Sequence, residues 1–145
     1  IEPARADLEQ ARRLDAAHLP AVLELAKLEE AEGRRDAARA LYARASELEA
    51  GQAKPDEPGE AVAALALARL EIEAGEVDAA RERLRRILDR NPREGTAAWL
   101  LLKTYGLEAG SDGLAQKERE DLALRAAVFE RSAEARDYWN RLKPK

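Results

Sequence analysis

Side chains that could catalyse a reaction are sparse in this sequence. Its 145 residues include one histidine, His18, and no cysteine, so thiolate nucleophiles, thiolate metal sites and disulfides are excluded. A single histidine close to a proline is typical of a surface turn. The acidic pairs lie among arginines and fit solvated helix faces; they are Glu29–Glu30 and Glu71/Glu73. With no glycine-rich phosphate loop, metal-ligand cluster or nucleophile motif, we predict no enzymatic activity and no cofactor.

The charge pattern argues against nucleic acid and membrane as partners. The net charge is −4 with both signs interspersed, and acids interrupt the one run of arginines, at positions 81, 83, 85, 86 and 90. No broad basic field is present to neutralise phosphates. The longest uncharged apolar stretch, Ala61–Ala68, is far shorter than the roughly 20 residues that cross a bilayer. Abundant Ala, Arg, Glu and Leu suggest a bacterial source, and the compartment, periplasm or cytoplasm, stays open.

Helical spacing of Ala and Leu runs along the whole chain, and strand patterns are missing. Glycines, prolines and capping residues divide this pattern, with Asp36, Thr96 and Ser132 as expected caps. The predicted helices run over about 20–32, 37–49, 60–74, 77–90 and 96–110, with a loop at 51–59. Residues 114–142 are predicted to form a helix to about Glu130 and a short closing helix, with one long helix as the alternative.

The helices repeat at fixed intervals. Leu25-Ala26, Gly33, Ala38, Tyr42 and Ala45 have counterparts at the same spacing: Leu67-Ala68, Gly75, Ala80, Leu84 and Ile87. A third copy begins well and then decays; its residues are Trp99, Leu102, Gly110 and Ala115. The opening Ala4, Leu8, Ala11 and Leu14 fit the second helix of a copy that lacks its first.

These intervals resemble the tetratricopeptide repeat, a helical unit of about 34 residues. The resemblance implies an all-α fold, an α-solenoid of antiparallel helix pairs wound into a right-handed superhelix, with about three repeats and a partial N-terminal one. Three residues depart from the family pattern: Glu29 and Glu71 stand where Tyr is usual, and Lys103 replaces a small residue.

We predict a single domain over residues 1–145. Its expected divisions are a half repeat (1–16), a repeat (18–50), a loop (51–59), a second repeat (60–92), a degenerate repeat (96–130) and a closing helix (132–143). Each pair buries only part of its apolar surface, and neighbours complete the core. The half repeat therefore predicts that the natural protein continues upstream and that Leu8, Ala11 and Leu14 form an apolar edge.

In such a stack the first helix of each pair lines a concave groove. The residues there that the repeat core does not use are apolar in the middle and charged at the edges, as suits an amphipathic helix or extended peptide. The predicted groove residues are Leu23, Glu24, Lys27, Val62, Leu65, Ala66, Arg69, Glu73, Ala97, Leu100, Leu101 and Thr104.

The function predicted from this resemblance is a protein–protein interaction scaffold that binds a segment of another protein in the groove. It would be part of a larger bacterial repeat protein in a multi-component assembly, such as a cell-envelope or export system. One alternative is a structural spacer that stacks on further repeats or self-associates through its terminal repeats. The other is a carbohydrate-binding groove, for which few aromatic residues are available.

Overall fold

The computed structural model of the protein describes residues 2–14, 17–52, 61–107 and 113–144. Within these ranges the chain forms eight α-helices and one π-helical turn, and it forms no strand. In order they are α1 (Glu2–Leu14), α2 (Leu19–Ala31), α3 (Arg35–Gln52), α4 (Val62–Glu73), α5 (Val77–Arg90), α6 (Gly95–Thr104), α7 (Gln116–Arg125), the π-helical turn (Ala126–Glu130) and α8 (Ala133–Leu142). The predicted all-α fold is confirmed. The helices belong to two compact units, Ile1–Leu70 and Glu71–Lys145.

The first unit is organised around the α2–α3 pair. α2 packs against both α3 and α1. Its core contains residues of α2, α3 and α4: Val22, Ala26, Ala38, Tyr42, Ala45, Ala63, Leu67 and Leu70. The core alanines of these two helices, Ala26, Ala38 and Ala45, have no exposed surface, so the two backbones approach closely. A larger side chain there would overpack the crossing at about 1–3 kcal/mol.

The α1 helix is the least buried element of this unit. None of its described side chains is buried, and Leu14 is 81% exposed, whereas Leu8 and Ala11 are half-buried. The apolar edge predicted for this helix is therefore carried mainly by Leu14.

In the second unit α6 occupies the centre. It packs against α5, α7 and the π-helical turn, and α8 packs against α7 and the same turn. The rings of Trp99 and Tyr138 meet at 5.9 Å between centroids with a 57° tilt, a favourable aromatic geometry. Of the two aromatic residues on α8, Tyr138 is buried and Trp139 is half-buried.

The repeat is visible in the turns that end α2 and α4. Gly33 has a φ of 79° and Gly75 a φ of 83°, a left-handed conformation that glycine adopts without steric cost. In the first turn the Gly33 N–H donates to the Glu30 carbonyl, and the next N–H donates to the carbonyl of Glu29. The second turn has the same two bonds at equivalent residues. Both are Schellman motifs, as the shared spacing predicts.

The third copy differs from its predicted boundaries. We expected α6 to end near Gly110, which lies outside the described residues. The helix instead ends at Thr104, and Gly106 has the positive φ of 85°. The predicted cap Thr96 is also wrong, because the helix already begins at Gly95. Asp36 is likewise in the first turn of α3 rather than at its cap. In the first turn its negative charge still interacts favourably with the helix dipole.

The N-terminus of α4 is capped by a side chain from another helix. Glu49 of α3 accepts hydrogen bonds from the backbone N–H of Ala63, at 2.9 and 3.1 Å, and of Ala64, at 3.3 Å. α3 itself extends to Gln52, beyond the predicted start of the loop, and residues 53–59 lie outside the described residues. The cap satisfies N–H groups that a helix leaves without internal partners.

The C-terminal stretch is two helices. Arg131 adopts a left-handed conformation with a φ of 62°, and the Ser132 hydroxyl accepts from the Ala135 N–H at 3.1 Å to begin α8. Just before this break, the π-helical turn crosses the start of α6 at Gly95. A Cβ on Gly95 would overlap the backbone of Phe129 and Glu130, so glycine is required at this crossing.

Replacing Gly95 with alanine is expected to lower the free energy of unfolding by about 1–3 kcal/mol, because the added carbon forces two backbones apart. Gly51→Ala is the matched control. Gly51 is helical with open space around its Cα, so alanine there should be neutral or stabilise by up to about 1 kcal/mol. Urea unfolding followed by circular dichroism gives both values. Equal effects of the two substitutions would contradict the proposed close crossing.

Candidate functional site

On α2 the predicted groove residues lie at the surface. Leu23 is half-buried and packs against the core of the first unit, while Glu24 and Lys27 are exposed. The Lys27 ammonium lies 2.8 Å from the Glu24 carboxylate. Pro20 occupies the first turn of this helix, where its missing N–H costs nothing. The helix therefore presents one apolar side chain beside an internally neutralised pair.

On α4 the corresponding residues form the start of the helix. Val62 is 37% exposed, Leu65 and Ala66 are half-buried, and Ala66 packs against the same core cluster as Leu23. We call the set Leu23, Glu24, Lys27, Val62, Leu65, Ala66 and Arg69 the α2/α4 face. Glu73, at the far end of the helix, is exposed.

An ion pair joins α2 to α4 at the edge of this face. Arg69 Nη1 lies 2.7 Å from one Glu30 oxygen, and the Tyr42 hydroxyl donates to the other at 2.9 Å. The hydrogen bond from Arg69 holds the pKa of the Glu30 carboxyl below its usual value. Burial, reinforced by the bond to Glu30, raises the pKa of Tyr42, so the phenol remains a donor. Neither charge of the ion pair is available without breaking these contacts.

The α6 residues are the part of the prediction that the structure corrects. Leu100 and Thr104 are half-buried, but Ala97 and Leu101 are fully buried, because α6 is enclosed by three other elements. Ala97 and Leu101 therefore offer no surface to a partner. Thr104 is also engaged: its hydroxyl and carbonyl accept from Arg81 at 3.1 and 2.6 Å.

The prediction that both acidic pairs lie on solvated helix faces is wrong for one member of each pair, Glu29 and Glu71. Glu29 is buried and is held by Arg5 of α1 and by Arg34 in the turn after α2. The same two arginines also hold Glu32, with Arg5 Nη2 at 2.6 Å from its carboxylate. The hydrogen bond from Arg34, and then that from Arg5, keeps the pKa of Glu29 low. This network attaches α1 to α2.

Glu71 occupies the equivalent position in the second copy and is also buried. Arg83 of α5 donates to one Glu71 oxygen through Nη2 at 2.9 Å and Nε at 3.1 Å, and Nε lies 3.3 Å from the other oxygen. Hydrogen bonds between two charged groups of this kind are stronger than those between neutral groups. Each copy thus buries an acid where the family usually has an aromatic residue. The repeat alignment could have revealed both, since each acid lies at a position that the core uses.

Most arginines of the run on α5 have structural partners. The guanidinium of Arg81 lies 3.8 Å from the Tyr105 ring centroid. Arg85 contacts the Tyr105 hydroxyl at 2.9 Å and the Glu118 carboxylate at 2.5 Å, and the bond to Glu118 raises the pKa of Arg85. Arg86 pairs with the nearby Glu82 at 2.5 Å. These contacts show that the arginines at 81, 85 and 86 have partners within the folded chain.

One further cation is enclosed in the second unit. Arg119 is buried and donates through Nη1 to the Gly106 carbonyl at 2.6 Å and the Tyr138 hydroxyl at 3.1 Å. It therefore links α7 to α8 and to the turn after α6. Sequence reasoning missed it, because arginine on a charged helix is usually solvated.

His18 is exposed in the turn before α2, as its context predicts. Among the described residues no group of three or more His, Cys, Asp or Glu side chains is placed to hold a metal ion. None of the helices in that part of the chain combines the length and apolar character needed to cross a bilayer.

Comparison with known proteins identifies the repeat. A family model described as tetratricopeptide repeat matches residues 55–104, which include α4, α5 and α6. The predicted resemblance and the helical-repeat fold are therefore confirmed. Repeats of this kind serve in general as scaffolds for protein–protein interaction. A comparison with curated proteins found no match to this chain.

The ion-paired acids Glu29 and Glu30 predict how the stability of the first unit depends on pH. Since the folded pKa values of Glu29 and Glu30 lie below the ordinary value of 4.5, their ion pairs stabilise above that value. This stabilisation is lost as the pH falls through the lower folded pKa values. Glu29→Gln should therefore lower the melting temperature at about pH 7, and its difference from the original protein should shrink toward about pH 3.

Glu47→Gln provides the control, because Glu47 is exposed and its pair with Arg44, at 3.3 Å, is weak. Thermal unfolding across the pH range measures all three proteins. A Glu29→Gln difference that is independent of pH would show that the carboxylate charge is not what stabilises the network.

Proposed function

We propose that the α2/α4 face binds a segment of another protein, with Leu23, Leu65 and Ala66 as its apolar centre. The supporting observation is the arrangement of charges around this centre. Lys27 is paired with Glu24 and Arg69 with Glu30, all within the chain. An apolar centre with an internally neutralised rim favours an apolar partner surface.

The energetics support a partner that contributes one or two large apolar side chains. Burying apolar surface stabilises a complex by roughly 25 cal/mol per Å², and a few central anchors carry most of the affinity. A strongly charged partner would have to separate the existing ion pairs, and Arg69 would leave Glu30 without its guanidinium. We therefore expect an amphipathic helix or an extended apolar segment, bound with weak dependence on salt.

The broader role that we propose is a scaffold within a larger bacterial repeat protein, in a multi-component assembly such as a cell-envelope or export system. A scaffold function is what the tetratricopeptide match supports in general. The alternative role as a spacer predicts that the α2/α4 face binds nothing, and the experiment below separates the two.

A photo-cross-linking amino acid at position 65 should capture a partner in the source cells, whereas the same group at the exposed Ala40 on α3 should not. The captured protein is then produced and titrated against purified chain. Leu23→Glu combined with Leu65→Glu should weaken this binding by at least about tenfold, because two charges would face apolar surface. Ala40→Glu should leave the affinity unchanged.

Circular dichroism must show that the double variant keeps its helices. Equal capture from positions 65 and 40, or equal affinity of the double variant and the original chain, would exclude the α2/α4 face as the binding surface. The absence of any captured protein would favour the spacer.

A further inference from the structure

An exposed apolar patch covers the outer surface of α7 and the π-helical turn. Leu124 is 41% exposed, Val128 46% and Phe129 42%. These are three of the six large exposed hydrophobic side chains in the described residues, and they lie within two turns of one another. Phe129 is the only phenylalanine of the chain. Such a concentration of apolar surface marks an interaction site more often than scattered single residues do.

The opposite side of the same segment is held firmly in the second unit. Ala123, Ala126 and Ala127 are buried, and the backbone at Phe129 and Glu130 lies directly against Gly95 of α6. The segment therefore cannot rotate to hide its outer side chains without separating α6 from the turn. A rigid patch loses little conformational entropy when a partner covers it.

The charges beside the patch follow a self-complementary order. Lys117, Asp121, Arg125 and Phe129 are spaced four residues apart, so they form one ridge along the segment. Reversing this ridge against a copy of itself places Asp121 opposite Arg125, and Lys117 opposite Phe129. The first contact pairs opposite charges, and the second places a cation on an aromatic ring. Both contacts occur twice in a two-fold arrangement.

We propose that two copies of the chain associate through this ridge, antiparallel, about a two-fold axis that crosses the ridge midway between Asp121 and Arg125. Leu124 and Val128 then bury their exposed surface against the second copy. The Asp121–Arg125 contact within each helix, at 3.0 Å, is exchanged for the same contact between copies. That exchange costs little, since exposed ion pairs along a helix contribute little to stability.

The order of charges is what favours a second copy over an unrelated partner. In a two-fold contact, if residue i of one copy faces residue j of the other, then residue j of the first faces residue i of the second. A favourable charge pattern therefore has its acidic and basic positions at equal distances on either side of the axis. Asp121 and Arg125 satisfy this condition, and so do Lys117 and Phe129. Glu118, in the first turn of α7, is engaged by Arg85 at 2.5 Å and faces α5 instead.

Sedimentation velocity over a range of concentrations tests the association. The original chain should show concentration-dependent doubling of its mass. Val128→Glu should raise the dimer dissociation constant by at least about tenfold. Leu14→Glu, which changes an even more exposed apolar residue on α1, should leave it unchanged. A monomer at all concentrations, or a dimer unaffected by Val128→Glu, would overturn the proposal.

Charge reversal tests the antiparallel arrangement separately. Asp121→Lys and Arg125→Glu should each lose the dimer, because like charges then face each other across the axis. A mixture of the two variants should recover a species of doubled mass, since each reversed charge now meets an opposite one. Failure of the mixture to recover the dimer would exclude the proposed pairing even if the original chain dimerises.

Disulfide cross-linking through a single introduced cysteine tests the dimer without a variant that is meant to disrupt it. The chain has no cysteine of its own. Leu124→Cys places a thiol close to the axis, so it should form a disulfide-linked dimer under mild oxidation. Ala40→Cys, exposed on α3, should remain largely monomeric under the same conditions. Equal cross-linking of the two variants would show that the contacts are only random collisions.

Discussion

The close approach of helices at alanine is the constraint on which the rest of this structure depends. Ala26, Ala38 and Ala45 have no exposed surface in the first unit, and Ala80 has none in the second. Small side chains bring the backbones together, so the core is thin and each helix retains an outer face. That outer face carries whatever surface the protein offers to partners. The same principle reaches its limit at Gly95, where even one carbon would prevent the crossing.

Buried charge is the second organising feature. A position that usually holds an aromatic ring in the tetratricopeptide pattern holds Glu29 in one copy and Glu71 in the next, and each acid binds arginine. A buried carboxylate is unfavourable unless it is paired, so each acid specifies where its arginine partners must lie. In the first unit these partners come from α1 and from the turn after α2. The ion network therefore holds α1 against α2 through hydrogen bonds, where an aromatic ring would do so by packing.

Much of the fold and part of the site could be predicted from the sequence. The repeated spacing of Gly33 and Gly75 predicted equivalent helix ends, and both ends are Schellman turns with a left-handed glycine. The boundaries of α5 and the start of α8 at Ser132 followed from local signals as well. For the α2/α4 face, helical spacing was enough to choose Leu23 and Ala66, which both pack against the same core cluster.

The sequence by itself thus determined the helices, the repeat and the residue types at each crossing, because these depend on interactions a few residues apart. Only the tertiary structure decided which charged and apolar residues are exposed. Leu101 is buried because three elements surround α6, and Glu49 caps α4 from another helix. Phe129 remains exposed because its own backbone packs directly against Gly95 of α6. Such outcomes depend on contacts between residues far apart in the chain, and no local pattern encodes them.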